Sequence, residues 1–290
     1  MTLSELLKNT VQENYAVGSF NARCKAFIAA ILKAAQKNNS PAIVQISQKE
    51  LGLFSVTPKE FADEYYRCLK ELQITVPTTL HLDHTKEIPV IHEAIEAGFE
   101  SVMIDASARS FEENVAMTRE VVEYAHARNV SVEAELGKIG TTDHMETDED
   151  SELYTDPEEA RRFVELTQVD ALSVSVGTAH GVYKVKAPAV QFERIRQIHG
   201  LVPSFLVLHG GSGVPAADVV RAHQDGCGIS KVNVATDLEL AFLGAVGMER
   251  MTSAQCDDLD AAVRSKGLQA VEDCVSDKMQ NYLCSAGKAW

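Results

Sequence analysis

Thr78-Thr79-Leu80-His81-Leu82-Asp83-His84 is an apolar, β-branched run that closes on two ionisable residues. After a helical stretch stopped by Gly98, Ser101-Val102-Met103-Ile104-Asp105 repeats the form. Strand, helix, strand is the crossover unit that parallel pairing requires. Outward from this unit the same pattern recurs at Val17–Phe20, Ala42–Ile46, Ser131–Ala134, Ala171–Val176, Phe205–Leu208 and Lys231–Val234, making eight candidate strands. Helix starts are marked by Thr57-Pro58-Lys59-Glu60 and Asp156-Pro157-Glu158-Glu159, each with a cap, a proline at the first helical position and a glutamate at the third. Ser110-Phe111-Glu112-Glu113 has the capping box without the proline, and Gly226 precedes the eighth strand as Gly98 precedes the fourth.

Eight strands alternating with helices over 290 residues predict a (β/α)8 TIM barrel occupying 1–290 as one domain; a doubly wound open sheet is the alternative. A short helix near Leu3–Lys8 precedes the first strand, and a helical extension from about 257 to 287 follows the last barrel helix. Gly137–Thr155, carrying Asp143, Glu146, Asp148, Glu149, Asp150 and Glu152, is too polar to bury and too long for a tight turn, which makes it either a lid or a solvated loop.

Composition narrows the function. Hydrophobic residues at 45% and charged residues at 24% describe a folded globular chain, and a net charge of −15 lacks the basic footprint that nucleic acid or anionic membrane would need. No leader pattern and no long apolar span are read, so the expected location is cytoplasmic. Six cysteines without a C-x-x-C pair suggest reduced, structural thiols.

The residues able to do chemistry fall at the predicted strand ends: Asn21, Ser47, Asp83 with His84, Asp105, Glu135, His180, His209 and Asn233. A (β/α)8 barrel gathers all of these on one rim, where its active sites are built. Any one histidine would be read as a satisfied core residue, but His84, His180 and His209 together match the three-imidazole set of a catalytic zinc with a fourth position open. His81 is read as packing against or orienting a ligand, and His92, His126, His144, His199 and His223 as surface residues. Leu208-His209-Gly210-Gly211-Ser212-Gly213 and Asn233-Val234-Ala235-Thr236-Asp237 follow the seventh and eighth strands, the recurrent phosphate site of this barrel.

Thr79 to His84, Val132-Glu133-Ala134-Glu135-Leu136-Gly137, Gly177-Thr178-Ala179-His180-Gly181-Val182-Tyr183, Leu208 to Gly213 and Lys231 to Thr236 occur in the order and spacing of the class II, zinc-dependent ketose-bisphosphate aldolases. The resemblance runs from about Tyr15 to Phe242 and is nearest the tagatose- and fructose-bisphosphate branch. It implies a reversible cleavage of a phosphorylated ketose, a ketose 1-phosphate or 1,6-bisphosphate, to dihydroxyacetone phosphate and an aldehyde. It also implies zinc on His84, His180 and His209, with Asp83 exchanging the hydroxyl proton. The phosphate would lie on Gly181, Gly210, Gly211, Ser212 and the turn Asn233, Ala235 and Thr236, with Asp105 and Glu135 near the metal. A monovalent cation, Na+ or K+, beside the phosphate and a homodimer or homotetramer are further expectations.

Three positions depart from the pattern. Where the family has a proton-exchanging glutamate on the mobile loop, this chain has Thr142 and Asp143, leaving Asp143 as the candidate. Glu239 stands where bisphosphate-specific members often carry a cation, which predicts a far end without phosphate unless another cation intervenes. Cys24 replaces a common asparagine. The rival readings are a zinc hydrolase on the same barrel, which leaves the phosphate turns unexplained, and a non-catalytic aldolase-like subunit, which leaves Asp83 and the three histidines unexplained.

Overall fold

The computed structural model describes residues 1–139, 154–181 and 188–290. Eight parallel strands close into a barrel in sequence order: β1 Val17–Asn21, β2 Ala42–Ser47, β3 Thr78–Thr85, β4 Ser101–Ile104, β5 Ser131–Leu136, β6 Ala171–Val174, β7 Phe205–Leu208 and β8 Ile229–Val234, with β8 pairing back onto β1. The open-sheet alternative is excluded by that last pairing. Helices connect the strands, and the capping boxes at Thr57 and Ser110 form as the sequence indicates.

Strand alternation sorts the barrel into two cores. Even-numbered residues such as Phe20, Val44, Leu80, Val102, Val132, Leu172, Leu206 and Val232 pack outward against the helices. Odd-numbered residues turn inward, and they change character along the axis. At the N-terminal end Val17, Ile43, Ala171 and Val207 form a small apolar cluster, plugged by Leu3, Leu6 and Leu7 of the helix Leu3–Leu7. Above it lies a buried polar layer, Ser19, Gln45, His81, Glu133 and Lys231. The rim carries Asn21, Ser47, Asp83, Glu135 and Asn233, all buried. The two-residue period of a strand thus carries each chain from plug to polar layer to rim.

Three expectations are revised. β3 runs to Thr85, so Asp83 and His84 lie within it, at a register shift against β4 between Leu82 and Thr85. His223 is buried, because it shares the inner face of the helix Ala216–His223 with Val219 and Ala222 and its Nε2 reaches the Tyr282 carbonyl at 3.3 Å. The C-terminal extension begins earlier than expected, as the helix Ser253–Asp258, then Ala261–Asp277 and a π-helical turn Lys278–Tyr282.

Candidate active site

The shift in β3 positions the site's first two groups. His84 has φ +30°, a left-handed value that a non-glycine residue adopts only under strain, and bulges of this kind re-aim side chains beside active sites. Asp83 stays buried and accepts from Asn233 Nδ2 at 3.1 Å. The His84 ring meets two others: its Nε2 is 3.2 Å from His180 Nε2 and 2.7 Å from His209 Nδ1. Tetrahedral nitrogens at about 2.05 Å from zinc are about 3.3 Å apart; the His84–His180 separation matches that, the His84–His209 separation is shorter, and one ligand atom from each ring lies within 4.8 Å of the others.

Two of the three rings, His84 and His209, have outer carboxylate partners. His84 Nδ1 is 3.2 Å from Asp105 Oδ2 and 4.0 Å from Glu135 Oε2. His209 Nε2 donates to Glu133 Oε1 at 2.8 Å, and Lys231 Nζ donates to the other oxygen, Glu133 Oε2, also at 2.8 Å. Carboxylate partners of this kind fix ring orientation and tautomer in metal sites. His81, read as packing against or orienting a ligand, is wholly buried behind Glu133, with Nδ1 2.8 Å from Ser101 Oγ and Nε2 3.6 Å from Glu133 Oε2.

Electrostatics favour a cation here. Burial pushes the His180 ring down to about 4, with the charge on His84 adding to it, and burial holds His209 well below the usual imidazole range. For His84 burial acts downward too, but Asp83, Asp105 and Glu135 outweigh it and raise the ring to about 10. Positive charge therefore collects on one ring among three. Burial, reinforced by the Asp105 charge, lifts Glu135 to about 8 against the pull of His84, and its Oε2 is buried without a hydrogen-bond partner. Two overlapping donor sets could hold a metal ion: His84, His180 and His209, and His84, Asp105 and Glu135. The three imidazole nitrogens of the first set are borderline donors that suit zinc, and the second set adds two carboxylates.

The glycine turn after β7 is packed too closely for any side chain. A Cβ on Gly210, at φ +65°, would lie 2.3 Å from the Ala179 carbonyl, and one on Gly211 would lie 2.6 Å from Val232 Cγ1. Gly211 N donates to Asn233 O at 3.1 Å, tying this turn to the end of β8. Ser212 Oγ accepts from the backbone N–H groups of Ala235 and Asp237 at 3.2 Å each, beside the start of the helix Thr236–Val246. The C-terminal turn braces the same region through the Tyr282 hydroxyl, which donates to Gly211 O, and through Lys278 Nζ, 2.6 Å from Asp237 Oδ2. Gly181 lies beside His180 with φ +109°.

On the adjoining β1–β2 part of the same rim, Asn21 Oδ1 accepts from Gln45 Nε2 and its Nδ2 donates to Glu50 Oε2. Ser47 caps the helix Gln48–Phe54 in a capping box with Glu50. Glu239 has a cation beside it: Arg23 Nη1 is 3.1 Å from Glu239 Oε2, while Arg23 Nε is 3.2 Å from Glu50 Oε1. The counter-charge left open by the sequence is therefore Arg23. Asp143, the loop candidate for proton exchange, lies outside the described residues, as do Thr142, His144, Glu146 and most of the acidic loop. Sequence reasoning passed over Glu133, Lys231 and Arg23. The first two had a signal, charged residues at inward positions of otherwise apolar strands.

The sequence profile of a family described as fructose-bisphosphate aldolase class-II matches residues 1–288. The chain is 39% identical over 280 residues to the sulfofructosephosphate aldolase of Alkalicoccus urumqiensis, covering 96% of this chain and 94% of that one. It is 38% identical over 292 residues to the fructose-bisphosphate aldolase of Geobacillus stearothermophilus, covering 100% and 98%. Among solved structures, the YdjI aldolase from Escherichia coli K12 superposes with a TM-score of 0.84 at 30% identity, covering 99% of this chain and 98% of that one. The fructose-bisphosphate aldolase from Campylobacter jejuni superposes with 0.78 at 25%, covering 98% and 95%.

Proposed function

Since the chain belongs to the class II fructose-bisphosphate aldolase family and is a lyase, we propose that it is a zinc-dependent enzyme cleaving a ketose 1-phosphate or 1,6-bisphosphate to dihydroxyacetone phosphate and an aldehyde. The observation that carries this reading is the meeting of His84 Nε2, His180 Nε2 and His209 Nδ1 with Asp83 adjacent and the braced glycine turn beside them. Bound there, zinc supplies Lewis-acid stabilisation for the negative charge that builds on the ketose carbonyl as the carbon–carbon bond breaks.

The chain's own residues do the rest. The Asp83 carboxylate removes the proton from the hydroxyl on the carbon that becomes the aldehyde, held for the task by Asn233. Burial opposes its ionisation, yet His84 and His209 draw it below the usual carboxylate range, so it is charged and able to accept at neutral pH. The turns Gly181, Gly210–Ser212 and Asn233–Thr236 receive the phosphate, with the Gly211 and Ala235 N–H groups and the Ser212 hydroxyl keeping the two later turns together. A monovalent cation, Na+ or K+, would lower the charge of that anion. Asp105 and Glu135 hold His84 or offer the ion a second position. Asp143 is the candidate for exchanging the proton at the dihydroxyacetone carbon.

The far end of the substrate would lie toward Asn21 and Ser47, with the Arg23–Glu239 pair beyond. Arg23 is shared between Glu239 and Glu50, so it lessens the negative charge at the far end without cancelling it; the two curated relatives are named for a fructose bisphosphate and a sulfofructose phosphate. Residues 1–290 are taken to work as one barrel domain in a cytoplasmic homodimer or homotetramer, and among the described residues no helix is long and apolar enough to cross a membrane. Leu240 and Trp290, both about half exposed, are candidates for cover between copies.

A retro-aldol assay coupled to dihydroxyacetone phosphate, run with and without chelator over ketose 1-phosphates and 1,6-bisphosphates, tests the proposal. Turnover that a chelator removes and zinc restores supports it. Hydrolysis without carbon–carbon cleavage would establish the zinc hydrolase in its place, and tight zinc binding without turnover the non-catalytic subunit. The ratio of kcat/KM between the two substrate classes reads the far end.

A further inference from the structure

Cys24 and Cys256, separated by almost the whole barrel in sequence, bring their sulfurs to 3.3 Å in the structure. Cys24 opens the helix Lys25–Lys37 just beyond β1 without making a side-chain cap, and Cys256 lies on the helix Ser253–Asp258 of the C-terminal extension. Both are free thiols and both are buried, yet they line a cleft whose other walls include Arg23, Phe54, Glu239 and Met251. The cleft gives a small oxidant a route to sulfurs that bulk solvent scarcely touches. Two other thiols have partners of a different kind: Cys68 Sγ accepts from Arg67 and donates to Glu64, and Cys227 Sγ donates to the Phe192 carbonyl.

We propose that Cys24 and Cys256 are a thiol-oxidation site, forming a disulfide on exposure to a hydroperoxide and thereby fastening the helix Ser253–Asp258 to the β1 rim beside Arg23. Two thiols already 3.3 Å apart need close by only about an ångström to reach the sulfur–sulfur bond length. The pair is also polarised for the reaction. The hydrogen bond from Cys24 holds Cys256 below the usual thiol range, while the same bond and burial hold Cys24 above it. In this scheme Cys256 attacks first and Cys24 resolves; the reverse order gives the same disulfide.

The step balances. The Cys256 thiolate attacks one oxygen of the hydroperoxide, the O–O bond breaks, and the departing oxygen takes a proton to leave as water or an alcohol. Cys24 sulfur then attacks the resulting sulfenic acid, the S–S bond forms, the S–O bond breaks, and hydroxide leaves as water with the Cys24 proton. Two thiols are oxidised and one peroxide is reduced. The chemistry is independent of the aldolase reading, so either can fail alone.

The test is to treat the full chain with hydrogen peroxide, alkylate the remaining thiols, and map the tryptic peptides by mass. The expected result is loss of two of the six alkylatable thiols and a linked peptide pair containing Cys24 and Cys256, reversed by dithiothreitol. Cys256→Ser and Cys24→Ser should each abolish the linked pair, and hydrogen exchange at Ser253–Asp258 should slow in the oxidised wild type but not in either variant. Persistence of both thiols at peroxide levels that oxidise other cysteines of the chain overturns the proposal. So does Cys256 advancing to the sulfinic acid unpaired, or a disulfide that leaves exchange at Ser253–Asp258 unchanged.

Discussion

His209 Nε2 donates to Glu133 Oε1 at 2.8 Å, and both side chains are wholly buried in the barrel. The second oxygen of Glu133 is occupied by Lys231, equally buried, so one carboxylate holds a ring of the histidine cluster on one side and neutralises a lysine on the other.

Glu133→Met should therefore do two things. Zinc affinity, measured by chelator competition, should fall by about 10–100-fold as His209 loses its orienting acceptor. Stability should fall by about 3–5 kcal/mol in urea titration because the Lys231 charge is left buried and unpaired. Lys231→Met in the same chain should recover most of the stability and little of the affinity. Recovery of both would mean that Glu133 serves only to neutralise Lys231.

Asp83 and His180 separate proton transfer from metal binding. Asp83→Asn keeps an oxygen for Asn233 and should retain zinc by elemental analysis while kcat drops by about 10²–10⁴-fold. His180→Ala should lose the metal itself. Equal metal loss in both variants would rule out Asp83 as the proton acceptor in favour of a ligand role.

The C-terminal turn should matter for phosphate affinity although it lies outside the barrel. Tyr282→Phe removes the hydroxyl that supports the Gly211 carbonyl, and KM for the phosphorylated ketose should rise about tenfold, near 1.4 kcal/mol, with kcat largely kept. Gly211→Ala should be more severe, since its Cβ would also meet Asn233 O at 2.7 Å. An unchanged KM in Tyr282→Phe would detach the extension from the phosphate turn.

Capping carboxylates set one part of the acid response. Backbone N–H and hydroxyl hydrogen bonds from Thr57 and Ser110 hold Glu60 and Glu113 below the ordinary glutamate value of 4.5. A carboxylate lowered in the folded state stabilises above its unfolded value and loses that contribution as pH falls through the folded one. Ser110→Ala should thus lower Tm at pH 7, with the gap from wild type narrowing below about pH 4.5. A gap that widens on acidification would contradict the assignment.

Most of the barrel was legible because β-branched runs, capping boxes and glycine stops act locally. The seven residues Val17-Gly18-Ser19-Phe20-Asn21-Ala22-Arg23 show where that ended: the strand was readable, but not the Arg23–Glu239 pair across β1 and β8. His223 looked like a surface residue because nothing near it in sequence announces the Tyr282 carbonyl. The bulge that turns Asp83 and His84 toward the rim was likewise silent, since it arises from the register of β3 against β4.

The sequence by itself determined the alternation of strands and helices, the polar residues at strand ends and the glycine turns, because each depends on side-chain period and backbone freedom within a few neighbours. Only the tertiary structure decided which nitrogen of each histidine faces the others, that Glu133 joins His209 to Lys231, that Arg23 answers Glu239 and that Cys24 meets Cys256. Those are distances between residues far apart in the chain, and closure of the barrel sets them.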